Sequence, residues 1–151
     1  MRILGFLLLV GSYAWFIIDI GQPGLMFSEN AIVAVLLPTI FLLMMMYDRE
    51  AWVSFARLLT FRYAPVDKEQ DLKLIRFLSS GSRASMVTGV LYFLIYSVWG
   101  LATIRDPSTI GPSLSIDLLS LFYGFGLSEL VFRPLAVVVQ EKSHQKSPLV
   151  D

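Results

Sequence analysis

The chain has 151 residues, enough for one domain, and 56% of them are hydrophobic against 16% charged. That balance lies outside ordinary soluble domains and belongs to the membrane class. Formal net charge is zero, cysteine is absent, and the single histidine, His144, sits in a polar tail, which excludes a nucleic-acid footprint in bulk charge, disulfides, thiolate metal sites and a cysteine nucleophile.

The first predicted element is an apolar run, about Ile3–Ile20. Arg2 ahead of it suits a signal peptide, but no small-residue cleavage site follows. Trp15 and Asp19 suit an interfacial finish, so the run is read as a span. Gly21-Gln22-Pro23-Gly24 closes a tight turn, because proline presets turn dihedrals and glycine supplies positive φ. A second span, about Ala31–Tyr47, carries Met44-Met45-Met46, read as adaptable apolar packing. Asp19 and Glu29 flank the turn and are read as solvated.

The segment 48–83 is more polar and patterned. Trp52, Phe55, Leu58 and Leu59 share a helical face, with Arg49, Glu50 and Arg57 elsewhere. Asp67 with Gln70 three residues on makes a capping box, followed by an apolar side through Leu72, Ile75, Phe77 and Leu78. Two short helices are expected here, lying on the membrane surface or docking a partner. Ser79-Ser80-Gly81-Ser82 is expected to break the second before the next span.

The third span covers about Ser85–Ile104 and the fourth about Leu114–Val139, joined by a turn through Asp106-Pro107-Ser108 and Gly111-Pro112. Arg49, Arg57, Arg62, Lys68, Lys73, Arg76 and Arg83 crowd the middle loop. The outer loops hold only Arg105, and Arg2, Lys142 and Lys146 fall on the basic side. By the excess of Lys and Arg on cytoplasmic loops, both termini and the loop 48–83 face the cytoplasm. The expected fold is an all-α membrane protein of four transmembrane helices, N-in and C-in, with a short helical cytoplasmic loop and a tail over 140–151. The outer turns are too short for an external enzyme domain. No phosphate loop, dinucleotide fingerprint or zinc motif occurs, so no catalytic residue, cofactor or metal is expected.

Charged side chains at bilayer depth cost a few kcal/mol and mark functional-site hypotheses. Asp117, Ser120, Gly124 and Ser128 recur at spacings that share one helix face. Such a stripe serves close helix packing or, in the sharper alternative, lines an ion path with Asp117 near its outer end. Ser97 likewise packs against a neighbour or joins a polar ring. Glu129 lies roughly 120° around the helix from Asp117, at 100° per residue. With Arg133 four residues on, it forms an ion pair along the helix or one between helices or subunits. Pro134 removes a backbone hydrogen bond and is expected to kink the fourth span. Tyr92 and Tyr96 are read as packing.

The stretch Tyr96–Ala136 resembles the last two helices of the MotA/TolQ/ExbB family, the ring subunits of ion-driven motors. The resemblance rests on Ser97-Val98-Trp99-Gly100, on Asp106-Pro107-Ser108 with Gly111-Pro112, on Leu118-Leu119-Ser120-Leu121-Phe122-Tyr123-Gly124, and on Leu130-Val131-Phe132-Arg133-Pro134-Leu135-Ala136. It covers about the last third of the chain and looks most like a compact, loop-shortened MotA. It implies a homo-oligomer, a pentamer, in the bacterial inner membrane. The ring would enclose the single transmembrane helices of two copies of a MotB/ExbD/TolR-like partner and pass H+ or Na+ along the shared path. Ser97, Asp117 and Ser120 become ion-pathway candidates, and Pro134 the gating or coupling candidate. Three departures stand out: Leu121 where the family has a path-lining threonine, Val90 beside Gly89 where MotA has a proline, and a cytoplasmic region cut down to 48–83 and a short tail. The alternative is a non-conducting MotA-like scaffold or assembly factor of an envelope complex.

Overall fold

Ser28 caps a helix that begins at Glu29: its Oγ accepts from the Ala31 N–H at 3.4 Å, and Glu29 places an acid in the first turn, where the helix dipole favours it. The computed structural model describes residues 11, 12, 15, 18, 28–60, 68–103 and 106–145, with the side chains of 68, 144 and 145 left out. The expected first span and the Asp67 cap therefore lie outside the described residues, except that Gly11, Ser12, Trp15 and Ile18 are helical.

Helix α1, Glu29–Met46, buries Ala31, Val35, Thr39 and Leu43, each four residues after the last, and leaves apolar side chains on its other faces. A helix apolar all round has the pattern of a membrane span. Met44, Met45 and Met46 are 61%, 85% and 63% exposed. They face away from the described core rather than packing into it, a correction to the expectation. After a turn at Tyr47 and Asp48, helix α2 runs Arg49–Leu59.

Helix α3 is a single element, Lys68–Thr103, of 36 residues. The expected break at Ser79-Ser80-Gly81-Ser82 is absent. Those residues are poor helix formers taken singly, but their small size is used in contacts. The Ser80 hydroxyl meets Tyr47 Oη at 2.7 Å, Ser82 is buried, and Gly81 lies under the Phe132 ring.

Asp106 then caps a 3₁₀ turn, Pro107–Thr109, accepting from the Ser108 N–H at 3.0 Å. Helix α4, Ile110–Gly126, follows without interruption, so Gly111 and Pro112 lie in its first turns and not in a loop. Proline is tolerated there because the first N–H groups of a helix have no intrahelical partner. A π-helical segment, Leu127–Phe132, leads into helix α5, Arg133–Gln145. Helix α1 and the stretches Glu69–Thr103 and Pro107–Ser143 are each long and apolar enough to cross a membrane.

Helix α3 is central: it packs on α1, α2, α4, the π segment and α5. The densest core joins Leu43, Leu58, Leu74, Phe77, Leu78, Phe132 and Val139 at the end where α2 lies. Phe77, fully buried, sits 5.2 Å from the rings of Tyr47 and Trp52 and 5.3 Å from that of Phe55. Edge-on aromatic pairs at such separations add about 0.5–1.5 kcal/mol each beyond area burial. The apolar face of α2 thus turns inward onto α3; only Leu59 of the expected stripe is left half exposed. A surface helix free to lie on lipid or dock a partner by that face is not what forms.

Candidate functional site

The functional candidates of the fourth span are placed by the crossing of α3 and α4. On α3, Gly81, Ser85 and Gly89 recur every four residues; on the facing rod, Ser120, Gly124 and Ser128 do the same. Small residues at that spacing let two membrane helices approach closely. At the tightest point a Cβ built on Gly89 lies 2.8 Å from the Ser120 carbonyl oxygen and 3.0 Å from Gly124 Cα. One built on Gly124 lies 2.7 Å from the Ser85 carbonyl oxygen.

Hydroxyls stitch this seam. Ser82 Oγ and Ser128 Oγ are 2.6 Å apart and both buried. Ser120, 1% exposed, donates to the Asp117 carbonyl at 2.7 Å and lies 3.3 Å from the Gly89 carbonyl. Across the other face of α3, Thr39 Oγ1 and Thr88 Oγ1 meet at 2.9 Å. Each also reaches a carbonyl of its own helix, Thr39 to Val35 at 2.7 Å and Thr88 to Ala84 at 3.0 Å. With no water available at bilayer depth, these groups satisfy one another. The stripe Asp117–Ser128 thus faces α3 inside one chain, as the packing alternative requires.

Toward the far end the seam opens slightly. The Ser97 hydroxyl donates to Asp117 Oδ2 at 3.5 Å, long for a bond of this type. Gly100 leaves space here: a Cβ on it lies 3.4 Å from Ser113 Oγ and 4.0 Å from Asp117 Oδ2. Ser97, Gly100, Ser113 and Asp117 line a cavity of about 10 Å³, room for at most one water. Ser97 and Asp117 are brought together, then, and Ser120 lies one turn further in, closed between the helices.

The second acid behaves differently. Arg133 donates to Glu129 Oε2 at 2.9 Å along the same helix, and the two side chains are 63% and 42% exposed. The pair is intrahelical, and neither residue bonds to another described helix. Exposed i,i+4 pairs contribute only about 0.3–0.5 kcal/mol in water. Pro134 follows the π segment within two residues. Widening the turn there is a known way to absorb a missing backbone donor, so the helix runs on through Pro134.

Linkages not foreseen from the sequence include Thr39 with Thr88, Ser82 with Ser128, Tyr47 with Ser80, and the Tyr123 hydroxyl accepting from the Ser28 N–H at 3.2 Å. The four-residue recurrence of Gly81, Ser85 and Gly89 carried a signal for the seam; the Thr39 and Tyr123 contacts join distant parts of the chain and left none. Tyr92 and Tyr96 stack at 4.4 Å, as packing. No group of acids and histidines able to hold a metal occurs among the described residues.

No family model matches the chain. It has a distant relative. Over 79 residues, 52% of this chain, it is 29% identical to the uncharacterized protein YtxD of Bacillus subtilis (strain 168). That match spans 29% of the relative's length, so the chain corresponds to under a third of it.

Proposed function

We propose that this chain is a ring subunit of an ion-motive-force-driven complex of the MotA/TolQ/ExbB kind, in a bacterial inner membrane. In this reading the run Ile3–Ile20 completes a four-helix subunit whose termini and basic loop face the cytoplasm. Copies of the chain, five by the resemblance, surround the single transmembrane helices of two MotB/ExbD/TolR-like partners. The chain is not an enzyme; the partner supplies the acid that carries H+ or Na+, and this chain supplies the wall and an entry carboxylate. The observation that carries the reading is the half-buried Asp117 beside Ser97, an ionisable carboxylate with a hydroxyl partner between two apolar helices.

The test is native mass spectrometry of the chain in mild detergent, alone and with the product of its neighbouring gene, followed by ion flux in vesicles. A five-fold ring holding two single-span partners, with flux abolished by D117N and reduced by S97A, is the expected result. A monomer or a partner-free assembly overturns it.

A specific observation favours the second reading, a non-conducting scaffold. Ser120 and Ser128 are both engaged in the seam, and the outward side chains of α3 and α4, among them Leu91, Ile95, Val98, Phe122 and Phe125, are apolar. A ring that forms yet passes no H+ or Na+ in the wild-type protein with its partner present selects the scaffold.

A further inference from the structure

A second concavity lies at the opposite end of the molecule from Asp117. Arg49, Val53 and Arg57 recur every four residues on one face of α2, and Gln70, Lys73 and Leu74 face them from α3. Together with Glu50 and Ser54 they enclose a cleft of about 370 Å³, within the range of small-molecule sites. Three cations thus face one carboxylate. Lys73 is paired with Glu69 at 3.2 Å, while neither guanidinium has a carboxylate within 4.0 Å among the described residues. Arginine presents a planar fork of donors matched to phosphate oxygens.

The depth of the cleft decides what kind of phosphate reaches it. Leu74, in its wall, packs into the same core as Leu43 of α1 and Leu58 of α2. The apolar run of α1 ends at Met46, three residues before Arg49. The cleft therefore sits at the level where an apolar helix leaves the hydrocarbon, which is where phospholipid head groups lie. Val53, 41% exposed between the two arginines, adds an apolar contact that a free inorganic anion has no use for.

We infer that the cleft between α2 and α3 binds the phosphodiester of an anionic glycerophospholipid, with Arg49 and Arg57 on the phosphate and Val53 against its glycerol end. Lys73 adds charge from the α3 side. The inference uses the membrane placement of the helices but not the ring reading, and an isolated copy of the chain binds as well as an assembled one.

The experiment is a titration of the delipidated chain with phosphatidylglycerol or phosphatidylcholine, read as lipid-bound species by native mass spectrometry. Phosphatidylglycerol is expected to bind on the order of tenfold more tightly than phosphatidylcholine, and R49Q/R57Q to lose a similar factor. R83Q, which removes an exposed arginine outside the cleft, is expected to leave binding unchanged. Equal lipid binding by wild type and a folded R49Q/R57Q overturns the proposal. So does complete displacement of the lipid by excess inorganic phosphate, which makes the cleft a site for soluble anions. If R49Q/R57Q fails to fold, phosphatidylglycerol with a photoreactive head group is cross-linked to wild type. Labelling within residues 49–57 or 70–74 supports the site, and labelling wholly elsewhere overturns it.

Discussion

Gly89 of α3 and Gly124 of α4 meet backbone to backbone: a Cβ on either lies 3.0 Å from the other's Cα. No side chain intervenes at this point, and the two long helices are held as close as their main chains permit. The approach also brings Ser120 and Ser85 into the contact, since it is their carbonyl oxygens that an added methyl meets first.

Gly89→Ala therefore drives a methyl against backbone atoms that cannot rotate away. The helices must part, at a cost of about 1–3 kcal/mol, typical of overpacking. Thermal unfolding in detergent, followed by helix signal, is expected to fall for Gly89→Ala and Gly124→Ala and to stay near wild type for Gly126→Ala, where an added Cβ meets nothing within 4 Å.

The fully buried ring of Phe77 on α3 packs against Tyr47, at the end of α1, and against Trp52 and Phe55 of α2. Phe77→Ala is expected to cost about 3–5 kcal/mol and to loosen α2 first. Limited proteolysis near Arg57 should speed up more than proteolysis near Asp106 at the other end. Equal acceleration at both ends would show that α2 does not depend on this ring.

The Ser82–Ser128 hydroxyl pair is suited to a double-mutant cycle. Coupling between Ser82→Ala and Ser128→Ala is expected at about 0.6 kcal/mol, the average for membrane hydrogen bonds. A coupling of zero, measured by steric trapping or chemical unfolding, would assign the contact to packing alone.

Asp106 lies ahead of the span that begins at Pro107 and accepts hydrogen bonds from the Ser108 backbone and hydroxyl, which hold its carboxyl below its ordinary value of 3.8. A carboxylate depressed on folding stabilises the fold above its ordinary pKa and ceases to do so as pH falls through the lowered one. Stability is thus expected to fall with acid below about pH 3.8 through this group, and Asp106→Ala to lose that part of the acid limb in unfolding measured against pH. An unchanged acid limb would remove Asp106 from the account.

Hydropathy alone located α1 and the apolar parts of the two long rods, because each span is apolar over more residues than a soluble core helix needs. The Glu129–Arg133 pair followed from its four-residue spacing, a purely local relation. Residues 79–82 went the other way. Single-residue propensity marks Ser-Ser-Gly-Ser as a helix stop, whereas in α3 the same residues are selected by neighbours that exist only once the chain has folded, Tyr47, Ser128 and Phe132. The four-residue recurrence on the fourth span correctly grouped Ser120, Gly124 and Ser128, but periodicity gives a face without saying what it faces. The π segment at Leu127–Phe132 carries no local signature, and its relation to Pro134 appears only in the folded chain.

The unbroken helix α3 has a mechanical meaning. A rod of 36 residues spans about 54 Å at 1.5 Å per residue, and it is pinned near its middle where Gly89 bears on Gly124. Ser97, beside Asp117, and Leu74, buried in the core against α2, stand on the same unbroken backbone, about 35 Å apart at 1.5 Å per residue. With no break between them, a displacement along the rod's axis at one is carried to the other.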